Sequence, residues 1–234
     1  MKRLLAAMTA ALLMVALLSS TTFAGSAKWT LGYYNGAVDP NLYTTVAANP
    51  HGGSIATFAF DQYPNQALLT SVANGYVKNG GLLGKTVTAT VSITGPAGTA
   101  FTAYTDTALG GTCAPGTATV RFYFDTKLQL GAPDFGVYDD QLWWSNPVSI
   151  SLADLFAAGP NGVTLSVSFA PANWSNLVGT FGNLLVAPYA ADFSTAASNV
   201  NQVGFSFGSP SCYAFGDGST PAGAMFNLMK FSTH

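Results

Sequence analysis

Apolar and polar residues alternate with period two through much of the chain. In residues 85–94, KTVTATVSIT, the positions Val87, Ala89, Val91 and Ile93 fall on one side, and Thr86, Thr88, Thr90 and Ser92 on the other. In TVRFYFDT, Val120, Phe122 and Phe124 oppose Arg121, Tyr123 and Asp125. GVTLSVSFA sets Val163, Leu165, Val167 and Phe169 against Thr164, Ser166 and Ser168. VGFSFG sets Val203, Phe205 and Phe207 against Gly204 and Ser206, and PVSISL sets Val148, Ile150 and Leu152 against Ser149 and Ser151. Successive side chains of an extended strand point to opposite faces, so each window predicts a strand with one buried face. In the last apolar window, AMFNLMKF, Phe226 and Leu228 are the inward positions.

Turn residues punctuate these runs at Asn79-Gly80-Gly81, Gly95-Pro96, Pro115-Gly116, Pro160-Asn161-Gly162 and Gly216-Asp217-Gly218. Short helices are expected in three places. PANWSNLVG sets Trp174 against Leu177 and Val178, and APYAADFSTAASNV aligns Tyr189, Phe193, Ala196, Ala197 and Val200, with Pro188 near its start. SLADLFAAG is long enough for a single turn. Between residues 28 and 79, WTLGYYNGAV and SIATFAFDQY read as strands, and NQALLTSVANG as a turn of helix. Many short strands with Gly/Pro turns and little helix predict an all-β fold: a two-sheet antiparallel sandwich, jelly-roll-like, with two or three short helices.

The N-terminus departs from this pattern. Met1-Lys2-Arg3 is basic, residues 4–18 are apolar except for Thr9, and Thr22-Phe23-Ala24 offers small residues for cleavage. That is the layout of a secretory signal peptide, cut after Ala24 or Ala27. Its apolar run is shorter than the ~20 residues a membrane-spanning helix needs. The expected organisation is a signal peptide over 1–24 and one β-sandwich domain over 25–234, in a secreted or periplasmic protein that leaves the membrane after cleavage.

Export changes the reading of charge and cysteine. The chain has 8 Lys+Arg and 10 Asp+Glu, and every acid is Asp. Without Lys2 and Arg3 the balance is 6 − 10, or −4. No basic cluster survives, which argues against nucleic acid as a partner. Cys113 and Cys212 are the only cysteines, and outside the cytosol the default is a disulfide. Closing so long a loop stabilises by at most ~4.7 kcal/mol in the chain-entropy view. Cys113 precedes the strand around Phe122 and Cys212 follows the strand around Phe205. If those strands are antiparallel neighbours, the cysteines meet at one end of the sheet.

Few residues carry candidate chemistry. His51 and His234 are the only histidines and no G-x-S-x-G elbow exists, so neither a His-based triad nor a zinc site can be assembled. Glycoside hydrolysis would need a pair of Asp residues from Asp125, Asp134, Asp139 and Asp140. No cofactor is expected; calcium is the one conceivable ion, held by Asp134, Asp139, Asp140 and carbonyls, although no calcium-loop spacing is present.

The pair Trp143-Trp144 follows Asp139-Asp140 in YDDQLWWSNPVS. On an extended strand the two rings point oppositely. Sharing a face with Leu142 assigns Trp144 to the core and turns Trp143 outward, near Tyr123. An exposed Trp with Tyr123, Asp139, Asp140 and Asn146 around it is the composition of a sugar-binding surface.

VRFYF, LWWSNPVS, TLSVSFAPANWSNLVGTFGN and VGFSFG-x-x-x-CYAFGDG together resemble a group of exported bacterial proteins, many of which carry a C-terminal PEP-CTERM-type sorting tail. The resemblance covers roughly residues 86–231, and the tail is absent here. It implies a β-sandwich with both cysteines retained, and no established activity. The expected function is a secreted, non-enzymatic binding module with polysaccharide as the favoured ligand. The alternatives are a structural protein of the cell exterior or matrix and, last, an Asp-dependent glycoside hydrolase.

Overall fold

Residues 119–126 show how the alternation becomes a sheet. In the computed structural model, which describes residues 29–33, 42–45, 53–64, 66–72, 76, 81–105, 115–134, 137–213 and 216–234, this segment is strand β7 (Thr119–Thr126). The strands before it are β1 (Trp29–Tyr33), β2 (Leu42–Thr45), β3 (Ala56–Ala59), β4 (Gln66–Val72), β5 (Thr86–Thr94) and β6 (Ala100–Ala103). After it come a minimal hairpin, β8 (Pro133–Asp134) and β9 (Val137–Tyr138), then β10 (Leu142–Ser151), β11 (Val163–Ser168), β12 (Val200–Gly208), β13 (Asp217–Thr220) and β14 (Met225–Thr233). Helix α1 (Leu152–Ala157) follows β10 and α2 (Asp192–Ser198) precedes β12.

The fold is an all-β sandwich, as the alternation predicts. One sheet runs β10-β7-β12-β4-β1-β2, with β13 joining β4 to β6; the other runs β11-β5-β14-β3. Every pairing is antiparallel, and most neighbours are distant in sequence. Val120, Phe122 and Phe124 are wholly buried between the sheets, as are Val203, Phe205, Phe207, Phe226 and Leu228. On the facing sheet Val87, Ala89, Val91 and Ile93 are at most 1% exposed.

Aromatic rings fill the space between the sheets in two groups. Phe205 stacks on Phe122 at 5.1 Å and meets Phe226 at 5.9 Å; Phe58 and Phe60 pack edge-on to Phe207 at 5.3 and 5.9 Å. The second group surrounds Phe124: Phe169 at 5.2 Å, Trp174 at 5.0 Å and Phe193 at 6.2 Å. Such pairs are worth about 0.5–1.5 kcal/mol each beyond burial.

Three local expectations fail, each because the backbone is used elsewhere. Gln66–Val72, within the segment expected to make a helical turn, forms strand β4 because β1 and β12 pair with it on both sides; a ladder on two edges outweighs a short local preference. The segment after Phe169 makes only a 3-10 turn, Pro171–Asn173. Ser175 then exchanges both backbone hydrogen bonds with Trp144 at 2.9 Å, which forbids a helix through Trp174, and Val178 is left exposed. Helix α2 starts at Asp192, not at Pro188. It buries Phe193, Ala196 and Ala197, while Tyr189 stays in the preceding turn, 37% exposed. Helix α1 is the expected single short helix, capped by Ser151, whose Oγ accepts from the Asp154 backbone N–H at 3.0 Å.

Phe205→Ala should lower the free energy of unfolding by about 3–5 kcal/mol, read by denaturant melts. Thr164→Ala, on an exposed outward position of β11, should change it by less than about 0.5 kcal/mol.

Candidate functional site

The register between β7 and β10 decides where the tryptophans go. Trp143 lies opposite Phe124, and Trp144 opposite Tyr123. Directly opposed residues of an antiparallel pair share a face. Trp143 therefore enters the core: it is 0% exposed, nearly parallel to Phe124 at 6.2 Å and edge-on to Phe193 at 5.0 Å. Its Nε1–H donates to the Asp140 carbonyl at 2.8 Å. This reverses the sequence-based assignment, in which Trp143 was outward beside Tyr123 and Trp144 was core. Leu142, the anchor of that assignment, sits half-buried at the strand's first position.

Trp144 and Tyr123 do point away from the inter-sheet core, with ring centroids 5.6 Å apart, but neither reaches solvent. The segment after β12 folds back over them and places Tyr213 at 5.4 Å from Trp144. Beneath Tyr213 lies Arg121, 3% exposed, with its guanidinium 4.6 Å from the ring centroid. Arg121 Nη1 donates to Asn146 Oδ1 at 2.7 Å and Nη2 to Thr119 Oγ1 at 2.7 Å. Asn146 in turn donates to Tyr213 Oη at 3.2 Å and to Ser175 Oγ. Ser206 Oγ donates to the Tyr213 carbonyl. Of the expected surface cluster, Asn146 and Tyr123 thus belong to a covered polar-aromatic layer. All four tryptophans of the chain, Trp29, Trp143, Trp144 and Trp174, are at most 2% exposed.

Asp139 and Asp140 form a 3-10 turn, Asp139–Gln141, ahead of β10. Asp140 is buried, correcting its place on a solvent-facing site. Its Oδ1 accepts from Asn176 Nδ2 at 2.7 Å, and Gly131, at which a Cβ would lie 2.9 Å from Asp140 Oδ2, brings that carboxyl beside Asp192, the first residue of α2. Asp192 Oδ2 accepts from the Gly131 backbone N–H at 2.8 Å. Burial, opposed by the Asn176 bond and reinforced by Asp192 and Asp139, raises the Asp140 pKa to about 6. Nothing in the spacing signalled Asp192 or Asn176: they are 52 and 36 positions away. Among the described residues no group of three or more His, Cys, Asp or Glu is arranged to hold a metal ion; the Asp134 side chain lies outside them.

Two other carboxyls are shifted toward the acid form. Burial raises Asp125, against hydrogen bonds from Asn201, Gln202 and Tyr123. Burial raises Asp217 well above the usual range, opposed by the Gly208 backbone and Arg121. Asp217 is 0% exposed and neither oxygen has a hydrogen-bond partner of good geometry.

What does face solvent is the outer side of the smaller sheet. Thr164, Thr90 and Lys230 lie in one cross-strand row, and Ser166, Thr88 and Ser232 in the next. Thr90 and Thr164 hydroxyls are 3.0 Å apart, Thr88 and Ser166 2.9 Å. Thr57 Oγ1 donates to Asn227 Oδ1 at 2.9 Å further along. Apart from Lys230 these rows carry no charge. An open depression of about 360 Å³ lies elsewhere, lined by Thr126, Lys127, Leu128, Asn199, Val200 and Asn201; it holds no aromatic ring.

β7 and β12 are antiparallel neighbours, with Phe122 opposite Phe205 and Thr119 opposite Gly208. That is the arrangement expected to bring the cysteines together. Cys212 is 6% exposed, and Cys113 lies outside the described residues. No protein-family model, curated protein or solved structure matches the chain.

With every tryptophan covered, iodide should leave the intrinsic fluorescence almost unquenched until the protein unfolds. Strong quenching of the native protein would place a tryptophan at the surface. Asp125, Asp140 and Asp217 all bind protons more tightly folded than unfolded. Their stabilising contribution is complete below the ordinary value of 3.8 and is lost as pH rises through the folded values. The melting temperature should therefore decline from pH 4 to pH 7; a rise over that interval would contradict the assignment.

Proposed function

We propose that this protein is an exported, non-enzymatic binding module that lies against a polyhydroxylated polymer, a polysaccharide, through the outer face of the β11-β5-β14-β3 sheet. The observation that carries the reading is the outward-facing array of Thr164, Ser166 and Ser232, which are exposed, with Thr88, Thr90 and Asn227, half-buried, between them. Strand geometry spaces such rows about 4.8 Å across strands and about 6.7 Å along them. Each hydroxyl carries one donor and two acceptor sites, so a pair bonded to each other keeps capacity for a partner's hydroxyls. Neutral groups also cost less to desolvate than charged ones. The interior position of Trp143 removes the aromatic platform and moves the expected ligand surface to this sheet.

Export is part of the proposal. It is supported by the basic-then-apolar N-terminus, the resemblance to exported bacterial proteins and a Cys113–Cys212 disulfide. The neighbouring placement of β7 and β12 supports that bridge, and among the described residues no cysteine is free. A second reading, self-association in a matrix, draws on β11. This strand ends its sheet, and its sequence VTLSVS has no charge to block pairing with another chain.

Co-sedimentation with insoluble polysaccharides tests the first reading. The wild type should pellet with at least one of them. Thr90→Lys with Ser166→Lys should weaken retention at least about tenfold, while Asn183→Lys, on another surface, should leave it unchanged. Equal retention of all three proteins, or none by any polysaccharide, would sink the polymer reading; concentration-dependent oligomers in the second case would favour self-association.

A further inference from the structure

We infer that the Asp140–Asp192 pair is a proton-operated latch that fastens α2 over the second aromatic group of the core. It stands apart from the polymer reading and rests on a cluster drawn from four segments. Asp140 comes from the 3-10 turn before β10 and Asp192 from the first turn of α2. Asn176 comes from the loop after Trp174, and the Gly131 N–H from the loop after β7. Gly131 has φ +80°, and a Cβ there would meet Asp140 Oδ2 at 2.9 Å, so that loop lies directly on the carboxyl.

One proton held between the two carboxyls satisfies the cluster. Asp140 Oδ1 already accepts from Asn176, and Asp192 Oδ2 from Gly131. A proton on Asp140 Oδ2 then donates to the Asp192 carboxylate, and both side chains are satisfied with one negative charge between them. The groups facing Asp140 are Asp139 on its own turn, Asp192 on α2 and neutral Asn176; no Lys, Arg or His contributes to its titration. Loss of the proton therefore leaves two adjacent carboxylates without a countercharge. The chain leading into α2 offers no ionic substitute, because residues 155–191 contain no Asp, Glu, Lys, Arg or His.

What the latch secures is packing. Phe193, next to Asp192, lies edge-on to Trp143 at 5.0 Å and 6.2 Å from Phe124. The segment entering α2 already exposes Leu184, Val186 and Tyr189. Releasing α2 would add Phe193 and the covered face of Trp143 to that apolar surface. The device keeps the protein closed in acid and lets this corner open as the medium approaches neutrality.

Amide hydrogen exchange of α2, corrected for intrinsic rates and measured in EDTA, reads the latch. Between pH 5 and pH 7.5 wild-type protection in α2 should fall, relative to β12, by on the order of tenfold, the one pH unit between pH 5 and the folded value of about 6 at tenfold per unit. Asp140→Asn supplies an N–H to Asp192 at every pH and keeps its Oδ1 for Asn176, so its α2 protection should be flat over the same range. Asp192→Asn removes the like charge and should flatten the profile too, which keeps the test available if one variant folds poorly. Parallel slopes in wild type and variants, or protection that rises with pH, would overturn the latch.

Discussion

The alternation along β7, flanked on both sides by partners in fixed register, is the constraint on which the rest of this structure depends. Its inward residues, Val120, Phe122 and Phe124, hold the inter-sheet aromatics. Its outward residues, Arg121, Tyr123 and Asp125, anchor the polar layer that Tyr213, Asn146 and Trp144 complete. A slip of one residue would exchange these two sets, sending a guanidinium into the hydrocarbon core and three aromatic or aliphatic side chains toward the covering loop. No local rearrangement compensates such an exchange, so the register is fixed by its cost.

Scarcity of charge is the second organising fact. Among proteins with ordinary numbers of lysines and arginines, a buried carboxylate is stabilised by a nearby cation. Here desolvation dominates the titration of Asp125, Asp140 and Asp217, and Asp140 has two further carboxyls beside it instead of a cation. The fold answers by using Asn176, Asn201 and backbone N–H groups as donors to its acids. The same scarcity leaves the outer face of the smaller sheet to hydroxyls and amides, the feature on which the proposed contact with a neutral, hydroxyl-rich polymer rests.

Much of the fold could be read from the chain, because period-two alternation is local information. Val87, Ala89, Val91 and Ile93, or Val203, Phe205 and Phe207, declare their face without knowledge of a partner. Trp143 and Trp144 do not. Two large aromatics in succession satisfy either assignment, and only pairing with Phe124 and Tyr123, some 20 positions away, breaks the tie. Strand β4 was hidden for a related reason: QALLTSV has helix-compatible residues, and its extended form is imposed by β1 and β12. The carboxyl pair was half legible. Asp140 is singled out beside Asp139, whereas nothing local marks Asp192, which becomes its neighbour only when α2 docks beside the turn.

The most direct test of the β7 register is the set of proton–proton nuclear Overhauser contacts from the Trp143 indole in the folded protein. Contacts to the ring protons of Phe124 and Phe193 are predicted. Contacts from Trp143 to Tyr123 and Tyr213, with Trp144 taking its place against Phe193, would show the strand turned over and contradict the arrangement described.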